Sequence, residues 1–357
     1  MADYHETNQR IEVCLRHIAQ SEGKPNLTKW ARDYNVPYSR LYARYKGRVT
    51  RLERPASHRR LKDTEENLLH DLVNGLEAQD KFAHEAGVYI KSTNRSYFTS
   101  NYQSNKTIET YSIDCTTHQI LLEEFPDVVN PNGACYYGDQ VLYCCQGSLT
   151  TPFALVLAHP LLGTSEIMLN SFYGRDFNSL NDVVVHHDAG DIWFTDPTYG
   201  YEQAFRPSPL LPSQVYRFRP ATGQIWCVAD GFVQCNSLCF SPDYDNNVSL
   251  NPRLPATIYE FNVTDGRTRL SNRRMFAYVD SGVPDGIKCD ERGNVYSGCG
   301  DGVHVWDAQG TLLGKIYAGN VVANFNFVEG GIWMMAAEKL FFCEIGVKGA
   351  LVDIECL

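Results

Sequence analysis

No stretch of this chain approaches the ~18 uninterrupted apolar residues that a membrane-spanning helix needs, so no membrane partner is expected. The opening residues, Met1–Arg10, are polar and lack the apolar centre of a secretory signal, which points to an intracellular address, cytoplasmic or nuclear. Twelve cysteines are present, yet no Cys-x-x-Cys pair. Without a secretory signal they read as reduced thiols and core filler, Cys144, Cys145 and Cys239 among them. Gly-x-Ser-x-Gly is absent, which removes the usual sign of a serine nucleophile. Gly298-Cys299-Gly300-Asp301-Gly302 is glycine-rich, but a strand pattern follows it where a dinucleotide site needs a helix, so it reads as a hairpin turn. His84-Glu85 lacks the second histidine of a zinc-protease motif. His186 and His187 are adjacent in a strand pattern and so point to opposite faces, which argues against a metal pair.

What is present is a globular composition, 43% hydrophobic and 21% charged, in 357 residues, enough for two unequal domains. Charge is unevenly placed. Lys24–Lys62 carries twelve Lys/Arg against two acids, leaving 20 basic and 40 acidic residues elsewhere. Segments so different in sign suggest different jobs. Residues 1–79 are expected to form a small basic helical segment and residues 80–357 a larger domain.

Ile11, Cys14, Leu15 and Ile18 fall on one helical face. Leu27–Tyr34 reads as a second helix, capped near Thr28, and Asn35-Val36 as a turn. Pro37 suits the first turn of a third helix with Tyr38, Leu41, Tyr42 and Tyr45 as its apolar face. Arg40, Arg44, Lys46 and Arg48 give this helix a basic side, the arrangement of a DNA-reading helix-turn-helix. The string from Leu27 to Leu41 resembles the helix-turn-helix of the pipsqueak class, as found in pogo-type transposases. Asp63 and Glu66 would cap a further helix through Leu69, Leu72 and Leu76. DNA is thereby a candidate partner through residues 24–62, although the acidic remainder would repel a duplex.

From about Lys81 the pattern turns to short alternating strands with Gly, Asn and Asp turns. Hairpin units recur every ~40–55 residues, which predicts a mainly β fold, a six-bladed β-propeller of four-stranded blades. Several units place a polar residue just before the innermost strand: Glu85, Asn132, Asn181, Asn236 and Asp285. Such positions converge on a propeller's central channel. Two carboxylates and two amides meeting there make an oxygen cage, the donor set of a hard cation such as Ca²⁺. Zn²⁺, Mn²⁺ or Mg²⁺ stay open as alternatives.

Glu85-Ala86-Gly87-Val88-Tyr89, Asn181-Asp182-Val183-Val184-Val185, Ile192-Trp193-Phe194-Thr195-Asp196-Pro197, Asn236 with Phe240-Ser241-Pro242-Asp243, and Pro284-Asp285-Gly286-Ile287 resemble the gluconolactonase and senescence-marker-protein (regucalcin) family. The likeness spans nearly all of Phe82–Leu357 and keeps the order of the motifs. It implies metal-dependent hydrolysis of a lactone, a sugar lactone or related ester. The family's metal ligands map onto Glu85, Asn236 and Asp285. Its substrate-side asparagine, close to the metal, maps onto Asn181, and Asn132 would form pocket wall. The resemblance makes Asp285 the group that orients or deprotonates the attacking water, and Asn181 a donor to the substrate. The chain departs from the family after Asp243, where the loop composition of Tyr244–Pro252 predicts a missing or shortened blade strand. Ser237 replaces a usual glycine and Leu180 a frequent proline. The competing expectation is therefore a non-catalytic, calcium-binding propeller scaffold, associated with DNA through its N-terminal helices.

Overall fold

The computed structural model describes residues 2–20, 25–46, 82–103, 107–242, 246–251 and 256–352. The chain divides into two compact units, Met1–Arg60 and Leu61–Leu357. The boundary expected near residue 80, the Asp63–Leu76 helix and Arg48 lie outside the described residues.

The first unit holds helices α1 (Ala2–Gln20), α2 (Leu27–Asp33) and α3 (Tyr38–Tyr45). Ile11, Cys14 and Ile18 of α1 pack with Ala31, Val36 and Leu41, so the apolar periodicity of α1 does become a core. Two details differ from expectation. Asn26, not Thr28, caps α2, its side chain accepting from the Lys29 amide at 3.2 Å. Of the apolar face expected on α3, Leu41 is buried, while Tyr38, Tyr42 and Tyr45 are exposed. The turn between α2 and α3 passes through Asn35 at a φ of 49°, a left-handed conformation that asparagine tolerates.

The second unit is a β-propeller. Five sheets are four-stranded antiparallel meanders: β1 (Glu85–Ile90) to β4 (Ile120–Glu123), β5 (Pro131–Tyr137) to β8 (Thr164–Leu169), β11 (Val183–His186) to β14 (Gln224–Ala229), β15 (Leu238–Phe240) to β18 (Arg269–Tyr278), and β19 (Ile287–Cys289) to β22 (Leu312–Tyr317). A further sheet, β23 (Asn324–Val328), β24 (Gly331–Ala336) and β25 (Lys339–Glu344), has three strands among the described residues. Six equal blades were expected; the structure has five complete ones and this smaller sheet. Among the described residues, the chain after β25 does not turn back to pair with it. It crosses to the neighbouring blade, where Asp290 bridges Gly349 and the Ala350 amide donates to Cys289 O. Short strands β9 (Ser171–Phe172) and β10 (Arg175–Asp176) form a separate two-stranded hairpin.

Alternation of side chains explains the stacking. Each blade is apolar on both faces and must bury both against neighbours. Leu142, Leu155, Val183 and Phe194 fill one boundary, and Phe98, Ile113, Trp333 and Met335 another. Each such side chain, fully buried, contributes ~1.5–3 kcal/mol from the hydrophobic effect. The innermost strands neighbour one another in the order β1, β5, β11, β15, β19, β23 and back to β1, closing a ring. An Ala83–Ala337 bridge ties the start of the ring to its last sheet.

The loss of a strand expected after Asp243 does not occur. Asn246–Asn251 forms β16, pairing Leu238 with Ser249 on one side and Asn251 with Thr257 of β17 (Thr257–Thr264) on the other. Backbone hydrogen bonding needs no particular side chain, so an Asn-rich segment closes the ladder when two strands flank it.

Candidate active site at the strand starts

Glu85, Asn132, Asn181, Asn236 and Asp285 all sit at the same end of the innermost strands, at or within two residues of the starts of β1, β5, β11, β15 and β19. The strand ends are shaped for this. β1 carries a bulge between Ala86 and Val88, with Ala86 at φ 68° and Gly87 at φ 82°. A left-handed alanine is strained, and strain of this kind persists where surrounding packing holds it. A Cβ at Gly87 would stand 2.8 Å from Phe325 O, so only glycine allows β1 to approach β23 here. The bulge re-aims Glu85 at the ring's end. β5 has a similar register shift between Pro131 and Ala134, at Asn132.

Asn181 is held by its backbone, its amide bonding Thr195 O at 3.0 Å and its carbonyl accepting from Gly133 N at 2.6 Å. The loop before it hangs on Asp196, whose Oδ1 accepts from the amides of Asn178 and Ser179 at 2.8 Å. Burial pushes the Asp196 carboxyl up to about 7 against these donors. Asp285 is fixed likewise, its amide donating to Gly298 O.

Side-chain contacts link the set. Asn236 Nδ2 donates to Asp285 Oδ1 at 2.9 Å, and Asn181 Nδ2 to Asn132 Oδ1 at 3.2 Å. Glu85 is buried and Asp285 partly so. Burial raises Glu85 to about 7, the Asn324 hydrogen bond and Lys288 opposing and Asp182 adding to the rise. Asp285 is pushed well above the carboxylate range by burial and then by the charge of Glu85, so these two carboxyls feel one another. The Oδ1 atoms of Asn181 and Asn236 are both buried without a hydrogen-bond partner. Buried amide oxygens are rarely left so.

Three participants carry no site role in the sequence reading. Asn324 Nδ2 donates to Glu85 Oε2 at 2.8 Å. Asp182 accepts from the amides of Val183 and Leu238. His84 Nδ1 stands 3.6 Å from Glu85 Oε1. Asn324 begins the sixth innermost strand, a strand-start polar position like the other five, and that signal was there to be read. Tyr199 is half-buried, its hydroxyl 3.5 Å from Asn236 Nδ2. It stands on a short helix α4 (Tyr199–Glu202), whereas Tyr201 is exposed.

Beyond the strand starts, a cavity of about 370 Å³ follows the ring axis, lined by residues of all six innermost strands, including Tyr89, Cys135, Val185, Cys239, Lys288 and Phe327. His187 also lines it, while His186 is buried against Phe240, as opposite faces require. Cys299 and Gly302 pair across the glycine-rich turn, which is a hairpin.

The donor set can be tested against a cation. Among the described residues no three or more His, Cys, Asp or Glu side chains group as a metal site. Glu85 and Asp285 supply two carboxylates, and the two orphaned amide oxygens supply neutral donors. That set fits a hard cation, which would also relieve the repulsion between the two carboxyls. In the helical unit, Lys46 Nζ lies 5.9 Å over the Tyr42 ring. No helix among the described residues is long and apolar enough to cross a membrane.

Comparison with known proteins agrees with the fold. A lactonohydrolase of Aspergillus oryzae, oryL, is 29% identical over 304 aligned residues, covering 75% of this chain and 69% of that one. A gluconolactonase of Zymomonas mobilis is 28% identical over 191 residues, 50% of this chain and 53% of its own. The solved structure of a gluconolactonase from Xanthomonas campestris superposes with a TM-score of 0.66 at 24% identity, covering 76% of this chain and 88% of that one, a likeness of fold alone. The family match begins at residue 85, so it lends no support to DNA contact by Arg40, Arg44, Lys46 and Arg48. With residues 85–331 matching its model, the chain belongs to the SMP-30/gluconolactonase/LRE-like family.

Proposed function

We propose that this chain hydrolyses a lactone, a sugar lactone or related ester, at the strand-start end of the propeller ring, and that Glu85, Asn181, Asn236 and Asp285 hold a divalent cation there, Ca²⁺ before Zn²⁺, Mn²⁺ or Mg²⁺. The observation that carries this reading is the convergence of a buried and a half-buried carboxyl with two partnerless amide oxygens. The lactonohydrolase and gluconolactonase relatives support the reaction class. When bound, the cation supplies Lewis-acid polarisation of the lactone carbonyl.

The chain's own residues would do the rest. Asp285 is the more accessible of the two carboxyls and takes a proton from the attacking water. Asn236 fixes its Oδ1, leaving Oδ2 for that proton. Ring opening needs the proton returned to the departing oxygen, and Asp285 can deliver it. Asn181, with Nδ2 engaged by Asn132, presents its carbonyl oxygen towards the cation and retains one N–H for the substrate. Tyr199 closes the site over Asn236.

Hydrolysis of an aldonolactone panel by the purified chain, followed as acid release, tests the reading. Turnover of at least one lactone above the spontaneous rate supports it. A folded protein that binds Ca²⁺ but turns over none would move the reading to a non-catalytic scaffold.

A further inference from the structure

Cys239 and Cys289 lie outside the site just described. They stand on β15 and β19, the innermost strands of adjacent blades, and their Sγ atoms are 3.6 Å apart. Both are more than nine-tenths buried, yet both line the axial cavity, whose walls extend to exposed Pro242 and Leu351. A small oxidant therefore has a route to thiols that are shielded from larger molecules. Both thiols are reduced in the structure. Cys144 and Cys145, by contrast, sit inside blade cores.

We propose that Cys239 and Cys289 are a modification site: a dithiol that a hydroperoxide converts to a reversible disulfide stapling the fourth blade to the fifth. With hydrogen peroxide, one thiol gives up its proton and its sulfur attacks a peroxide oxygen; the O–O bond breaks, a sulfenic acid forms, and the departing hydroxide takes that proton to leave as water. The second thiol gives up its proton and its sulfur attacks the sulfenic sulfur, expelling a hydroxide that takes this proton and leaves as a second water. The two sulfurs give up two electrons and the peroxide gains them. The bond joins strands whose starts carry Asn236 and Asp285, three and four residues upstream, so it clamps the boundary that their hydrogen bond spans. Because it closes a long loop, it also restricts the unfolded chain. Formation of this bond is independent of the lactonase reading.

The test is peptide mapping of the full reduced chain, treated with hydrogen peroxide, alkylated and digested without reductant, alongside thermal unfolding. The expected result is a cross-linked peptide pair containing Cys239 and Cys289, abolished by dithiothreitol, in a protein that melts higher than its reduced form. Cys289→Ser, or Cys289→Ala should the serine variant fail to fold, should leave Cys239 without a cross-link. Recovery of both cysteines as separate alkylated or sulfinic products would overturn the proposal. So would pairing of Cys239 with Cys135, or an oxidised protein that melts at or below the reduced one.

Discussion

Asn236 donates to Asp285 across the boundary between the fourth and fifth blades, Nδ2 to Oδ1 at 2.9 Å, so that one blade orients the carboxyl of the next. A carboxyl held in this way is set up for proton transfer. Asp285→Asn should lower lactone turnover by about 10²–10⁴-fold, the usual contribution of a general base. It should not lower stability without added cation, since it removes one of two mutually repelling buried carboxyls. Steady-state kinetics and thermal unfolding on one preparation check both halves.

Asn324 donates a hydrogen bond to buried Glu85. Asn324→Ala would leave Glu85 Oε2 without that donor, at a cost of about 1–3 kcal/mol. Denaturant unfolding at fixed pH measures it. A loss below the error of the fit would mean that Glu85 is satisfied some other way.

Glycine has a steric task at Gly133. A Cβ there would lie 2.4 Å from Asp182 Oδ1 and 2.6 Å from Asn181 O. Gly133→Ala must push Asn181 away from the ring end. It is expected to cost about 1–3 kcal/mol, as overpacking does, and to weaken cation affinity measured by calorimetry. Gly138→Ala is the control for bulk, since nothing lies within 4 Å of its Cβ position, although its positive φ adds a small cost of its own.

Much of this was legible in the chain. Repeating hairpins announced the propeller, and the polar residues before innermost strands announced that they would share one end of the ring, because both follow from period-two alternation and turn chemistry. What escaped depended on backbone pairing or on register. Asn246–Asn251 looks like a loop by composition, and only its two flanking strands make it β16. Tyr38, Leu41, Tyr42 and Tyr45 look like a core stripe on α3, but of these four Leu41 alone is buried. The sixth blade was counted from spacing, whereas the chain after Glu344 leaves its sheet for Cys289 and Asp290. Asn324 was missed because its partner, Glu85, lies at the opposite end of the propeller sequence.

Three buried imidazoles set an acid limit. His186, His187 and His304 all have pKa values lowered, first by burial. The unfolded chain therefore binds more protons than the folded one below the ordinary imidazole value of about 6.5. Stability from this source is full above that pH and is lost as pH falls through and below it. Glu85, Asp196 and Asp285, raised by burial, act with the opposite sign from pH 8 to 5, so the histidine share is read as a difference: the unfolding free energy of His304→Gln relative to the parent should rise as pH falls through about 6.5. A flat difference would show that His304 charges without cost.

The most direct test of the central claim is turnover of the best lactone by chelator-stripped protein, before and after Ca²⁺ is restored, with Asp285→Ala beside it. The account predicts no turnover when stripped, recovery with Ca²⁺, and no recovery in the variant. Full activity in stripped protein, or in the variant, would contradict it.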